Sequence, residues 1–152
     1  MMNSLSLQTM AKAYLADLEL TPSANIEFIR ELQSKHIARY SFNSLAVVLG
    51  QDISLDVERI FKKIVEKQRG GYCFEHNKLA LNVLLELGFD VRLLMAKVIY
   101  NRDVDVARTH RITLLHLDGD DYIVDVGFGH FGARLPVKLE LGLEQNQGDS
   151  IY

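Results

Sequence analysis

The chain of 152 residues has one cysteine, two prolines, no excess of charge of one sign and no repeat or low-complexity tract. It also lacks any apolar run near the roughly 18 residues that a membrane span needs. Each absence removes a class of protein. A single cysteine, Cys73, excludes an internal disulfide and fits a reducing compartment. Seventeen Lys+Arg against 20 Asp+Glu leave a formal charge of −3, which gives no electrostatic ground for nucleic acid or an anionic membrane as partner. Lys12 interrupts any signal segment at the start. A cytoplasmic protein is therefore expected. What is present is ordinary globular composition, 48% hydrophobic and 24% charged. A chain of this size could bury roughly 70% of its unfolded surface, as one domain or part of a larger one.

The first half has helical periodicity. Leu7, Met10, Tyr14, Leu15 and Leu18 share a face, and Thr21-Pro22 predicts the cap and first position of a second helix carrying Ile26, Ile29, Leu32 and Ile37. Ser41 to Gly50 is apolar without period and is expected to be a connection packed on the core. Ser54 is the expected cap of a third helix, with Val57, Ile60, Phe61, Ile64 and Val65 as its buried stripe. After Arg69-Gly70-Gly71 a fourth helix should begin near Cys73 and stop at Gly88. From Val91 the texture turns to strand. Val91 to Tyr100 alternates poorly and is expected to be buried on both faces. Asn101 to Arg108 forms a loop, and Arg111–Leu117 and Tyr122–Val126 form a hairpin around Asp118-Gly119. Helices first and strands second predict an α+β fold. The apolar pair Ile151-Tyr152 has the texture of an opening strand, so the chain is expected to be truncated.

Cys73 at a helix start would meet unpaired N–H groups that stabilise a thiolate over a thiol, and the preceding glycines let a substrate approach the sulfur. A lone cysteine is also commonly just a small buried apolar residue. The hairpin register predicts that Leu117 faces Asp120 and Ile112 faces Asp125, which makes His110 and Asp125 diagonal neighbours on one face. Asp125 lies inside the apolar run Tyr122–Val126, where an unpaired carboxylate is costly, and His110 is its natural partner. Together these supply nucleophile, base and orienter. The other histidines are weaker candidates. His36 lies on a polar helical face and is expected to be solvated, while His116 shares a face with His110 and His130 belongs to a loop. Cys73 and His76 with His110 and Asp125 could make a tetrahedral zinc site, but no second Cys or His pair has ligand spacing, so no metal is expected.

The blocks Arg69-Gly70-Gly71-Tyr72-Cys73-Phe74-Glu75-His76-Asn77, Thr109-His110-Arg111 and Tyr122-Ile123-Val124-Asp125-Val126-Gly127-Phe128-Gly129 resemble the signature of the arylamine N-acetyltransferases, from Tyr14 to about Gln145. The resemblance implies a papain-like thiol-enzyme core, with an N-terminal helical domain over residues 1–88. An antiparallel β-barrel domain over 89–152 would follow, incomplete at its C-terminus. It further implies that Cys73 takes an acetyl group from acetyl-CoA and passes it to an arylamine, arylhydrazine or N-hydroxyarylamine in two ping-pong steps, with Cys73, His110 and Asp125 as the triad. Phe42, Tyr72, Val98 and Phe128 would line the acceptor pocket, and Gly127, Phe128 and Gly129 would approach the cofactor.

Two departures stand out. The family's proline-phenylalanine-glutamate-asparagine segment is here Ser41-Phe42-Asn43-Ser44, which removes a carboxylate expected to pair with Arg69. Family members also extend well beyond Tyr152, so activity of the chain itself is open. The alternatives are a papain-like or transglutaminase-like enzyme with another acyl donor, and a truncated or degenerate paralogue without catalysis.

Overall fold

The computed structural model describes residues 5–99 and 102–152. Tyr100 and Asn101, at the junction of the expected strand and loop, lie outside the described residues. Five α-helices precede four strands: α1 (Leu7–Asp17), α2 (Ile26–Arg39), α3 (Leu45–Val48), α4 (Val57–Phe61), α5 (Cys73–Glu86), then β1 (Asp90–Lys97), β2 (Arg108–Leu117), β3 (Asp120–Val124) and β4 (Val137–Lys138). The strands form one antiparallel sheet in the order β1-β2-β3-β4. This is the expected α+β fold, though among the described residues the sheet is open and does not close into a barrel.

Local chemistry sets the helix ends. Ser6 caps α1 by accepting from the Thr9 N–H. Helix α2 begins later than Thr21-Pro22 predicts, because Asn25 accepts from the Phe28 N–H at 2.9 Å and takes the cap. Likewise Asp56, not Ser54, caps α4 through the Arg59 N–H. One π-helical turn, Lys62–Glu66, continues α4 and keeps Ile64 and Val65 buried. Gly88, at φ +85°, ends α5. The hairpin turn puts Asp118 and Gly119 both at positive φ, the geometry that matches strand twist in a two-residue loop, and Leu117 faces Asp120 as expected.

A continuous core joins helices to sheet. Tyr14, Ile29, Leu32, Ile60, Ile64, Leu79 and Leu84 pack with Leu115 and Val124. Three expectations fail. Most of the 41–50 segment does not pack on the core: α3 buries none of its four residues and exposes Leu45 and Val48, and Leu49 beyond it is exposed as well. Strand β1 is not buried on both faces; it is an edge strand with Arg92 and Leu93 exposed. Ile151 does not open a further strand of this sheet but bridges back to Asn146, while Gln145 and Tyr152 exchange backbone hydrogen bonds at 2.8 and 3.1 Å. Among the described residues no helix is long and apolar enough to cross a membrane.

Candidate active site

Cys73 is the first residue of α5, with Tyr72 as its N-cap. The Glu75 carboxylate accepts from the Tyr72 N–H at 3.1 Å and from Lys63 at 2.7 Å, which fixes the turn entering the helix. That turn is clamped from the other side. Phe42 and Gly71 form a parallel bridge, Asn43 N–H donates to the Gly71 carbonyl at 2.8 Å, and the Asn43 side chain donates to the Arg69 carbonyl. Gly70 has φ +64°, and a Cβ there would overlap the Ser41 carbonyl oxygen. Arg69 itself is exposed, and among the described residues it makes no ion pair. The carboxylate missing from this segment is therefore not needed to neutralise a buried charge, and Asn43 holds the Arg69 backbone instead.

The hairpin delivers the other two residues. Thr113 pairs with Val124, so one further step sets Ile112 opposite Asp125, and His110, two residues from Ile112, is its diagonal neighbour on the same face. His110 Nε2 donates to Asp125 Oδ2 at 2.6 Å. Cys73 is near enough to the same ring to act on its protonation, and its thiol points at the Thr109 carbonyl, 3.9 Å away. Burial pulls the His110 pKa down, but hydrogen bonds and charge from Asp125 and Cys73 outweigh it and raise it to about 9. The ring of Phe128 meets His110 edge-on, with centroids 4.9 Å apart.

Asp125 is oriented by Asn77 and Gln33, which the sequence did not single out, and by Gly127, expected only to approach the cofactor. Its Oδ1 accepts from Asn77 Nδ2 and from the Gly127 N–H, both at 2.9 Å. Asn77 is fully buried. It donates also to the Arg111 carbonyl at 2.6 Å and accepts from the Val126 N–H at 3.0 Å. Helix α5 thus carries Cys73 and, one turn on, the amide that ties β2 to the end of β3. From α2, Gln33 accepts from the Asp125 N–H at 3.3 Å and donates to the Ala133 carbonyl at 2.7 Å. Gly127 runs so close to α5 that a Cβ there would stand 2.9 Å from Cys73 Cα and 2.7 Å from the Asn77 amide nitrogen. The apolar spacing around Asn77 and Gln33 marks the helices but not their reach across the fold. Asn77 directly follows His76 in the quoted block, which was the one available signal.

Of the four expected pocket residues, Phe42 and Phe128 line one cleft of about 490 Å³ together with Tyr40, Val126, Gly129 and Phe131. Tyr72 stacks on Phe74, and Val98 is half-buried past the end of β1; neither lines that cleft. A larger cleft, about 690 Å³, lies between α3 and the Lys63–Glu75 pair; neither cleft is lined by Cys73, His110 or Asp125, but the smaller one borders His110 through the Phe128 ring. His116 is exposed and pairs with Asp121 at 2.9 Å. His36 is not solvated; it is fully buried between Tyr14 and His76. Both ring nitrogens of His76 are taken, by His36 and by the Ser41 carbonyl, so neither is free to join Cys73 around a metal.

Comparison with known proteins agrees with this geometry. A family model described as N-acetyltransferase matches residues 25–152. The chain is 40% identical over 131 residues to the arylamine N-acetyltransferase of Escherichia coli (strain K12), covering 86% of this chain and 47% of that protein. The chain belongs to the arylamine N-acetyltransferase family. Among solved members of this family, the Salmonella typhimurium enzyme superposes with a TM-score of 0.84 at 33% identity, over 91% of this chain and 52% of that one. The Mycobacterium marinum arylamine N-acetyltransferase solved in complex with CoA superposes with a TM-score of 0.80 at 31% identity, over 93% and 58%. The chain spans about half the length of the curated relatives it matches.

Proposed function

We propose that this chain carries the acyl-transfer centre of an acetyl-CoA-dependent arylamine N-acetyltransferase, working through an acetyl-cysteine on Cys73. The observation that carries the proposal is the His110–Asp125 bond of 2.6 Å with Cys73 at a helix start beside the same ring. In the first half-reaction the Cys73 sulfur, its proton held by His110, attacks the acetyl carbonyl of the donor. A carbon–sulfur bond forms, the bond to the CoA sulfur breaks, and His110 returns a proton to the departing thiol. In the second, an amine attacks the thioester, His110 takes its proton, and the bond to Cys73 breaks. With the sulfur acetylated, the contribution of Cys73 to the raised His110 pKa is gone. The ring then becomes able to accept the amine proton.

The cleft beside Phe128 is an apolar, aromatic-walled acceptor site for an arylamine, arylhydrazine or N-hydroxyarylamine, with Phe42 and Phe128 facing the flat ring. Gly127 runs past the Cys73 backbone and Gly129 past the Phe42 ring, two positions without side-chain bulk around Phe128, which suits the approach of the donor's thioester arm. The Mycobacterium marinum relative solved with CoA supports acetyl-CoA as donor. We assign residues 1–88 and 89–152 to the helical and β portions of a papain-like core working in the cytoplasm. Initial rates with acetyl-CoA and an arylamine, each varied at fixed levels of the other, test the mechanism. Parallel double-reciprocal lines are expected; intersecting lines would require direct transfer and overturn the acetyl-cysteine.

A further inference from the structure

Two buried histidines take no part in this mechanism. Tyr14 OH lies 2.7 Å from His36 Nδ1, His36 Nε2 lies 2.8 Å from His76 Nδ1, and His76 Nε2 lies 3.2 Å from the Ser41 carbonyl oxygen. The four groups come from α1, α2, α5 and the 41–43 segment. A carbonyl can only accept, so His76 must carry its proton on Nε2 and present a bare Nδ1. His36 must then donate from Nε2 and accept from Tyr14 at Nδ1. One arrangement of protons satisfies every buried group in the row. The two rings sit edge to face with centroids 5.0 Å apart, and Tyr40 packs edge-on against His36.

The row ends where the acceptor wall begins. The Ser41 carbonyl that receives His76 also receives the Gly71 N–H at 3.2 Å. Phe42, the next residue, stacks on the His76 ring at 6.4 Å and 22°, and a Cβ on Gly129 would stand 3.4 Å from the Phe42 ring. Phe42 is 43% exposed, so beside its backbone bridge to Gly71 the His76 ring and Gly129 are what backs its side chain.

We infer that His76, locked as its neutral Nε2–H form by His36 and Tyr14, is a positioning residue that holds Ser41 and Phe42 in place as the wall of the acceptor site. Burial lowers the pKa of both histidines and, at His76, outweighs the hydrogen bond to the Ser41 carbonyl, which acts the other way. Glu75 raises that of His76 and Lys63 lowers it, while His76 lowers that of His36. Burial, and then Tyr40, raise that of Tyr14, so the row stays neutral. The inference rests on the acceptor reading of the cleft given above.

The test uses the full chain and Cys73 alkylation, which needs no CoA. Iodoacetamide is compared with its N-phenyl analogue, whose ring should enter the Phe42–Phe128 cleft and react faster. In His76→Leu the advantage of the aromatic reagent should fall by about threefold to tenfold, the worth of a displaced aromatic contact, with the iodoacetamide rate moving far less. His76→Gln keeps a donor near Nε2 and should restore the advantage. Long-range proton–nitrogen NMR of the wild type should show both histidines neutral with Nε2 protonated. An undiminished advantage in His76→Leu, a parallel loss for both reagents, or an Nδ1–H form of His76 would each overturn the inference. A wild type with no aromatic advantage would instead remove the acceptor reading on which it rests. Should His76→Leu fail to fold, the NMR result decides.

Discussion

Two histidine arrangements, one between α5 and the sheet and one among the helices, carry opposite charge states. His110 is buried and keeps its proton, because Asp125 stands 2.6 Å from it and Cys73 lies beside it. His36 and His76 are more deeply buried and stay neutral, because their partners are a phenol, each other and a carbonyl. Burial alone therefore does not set the state of a histidine here; the presence of a carboxylate in contact does. In the proposed mechanism the charged ring serves a sulfur that must lose a proton, and in the inference drawn above the neutral row serves as a fixed strut.

The sharpest way to break the comparison is to remove the carboxylate. Asp125→Asn should slow Cys73 alkylation and acetyl transfer by about 10²–10⁴-fold, since His110 loses its orienter, while circular dichroism stays native. An unchanged rate would take Asp125 out of the mechanism. Next in size, Asn77→Ala deletes a buried amide that serves Arg111, Asp125 and Val126. It should cost about 2–4 kcal/mol in urea unfolding, because three buried groups lose a partner. Gly127→Ala should cost about 1–3 kcal/mol, because the new Cβ presses on Cys73 and Asn77 at the packed end of α5.

Stability against pH separates the two arrangements by sign. The His110 pKa of about 9 lies above the ordinary 6.5, so its pairing contributes fully below pH 6.5 and is lost as pH rises through about 9. The lowered values of His36 and His76 act the other way. The unfolded chain takes up protons first, so their contribution is lost as pH falls below 6.5. Asp125→Asn should flatten the alkaline arm of the melting profile and leave the acid arm. The smallest expected effect is that of Arg69→Ala, within about 0.5 kcal/mol of wild type in the same unfolding assay, because the side chain is exposed and makes no ion pair among the described residues.

The features legible in the sequence were those set by neighbours in the chain. Asp118-Gly119 announced its turn, the parity of β2 and β3 put His110 with Asp125, and the glycines before Cys73 marked the start of α5. What escaped depends on contacts far apart along the chain. His36 reads as a solvated residue on a polar face until Tyr14, 22 positions before it, and His76, 40 after it, close around its ring. Gln33 reaches Ala133 across 100 residues, and no local pattern signals that. The exposed apolar residues at α3 misled for the same reason: Leu45 and Val48 in the helix and Leu49 after it have the composition of core residues without the position.

The most direct test of the central claim is the intact mass of the purified chain after brief incubation with acetyl-CoA, with Cys73→Ala alongside. One acetyl group on the wild type and none on the variant is the predicted result. No adduct on a wild-type thiol that still reacts with iodoacetamide, or an adduct that survives Cys73→Ala, would contradict an acetyl-cysteine centre in these residues.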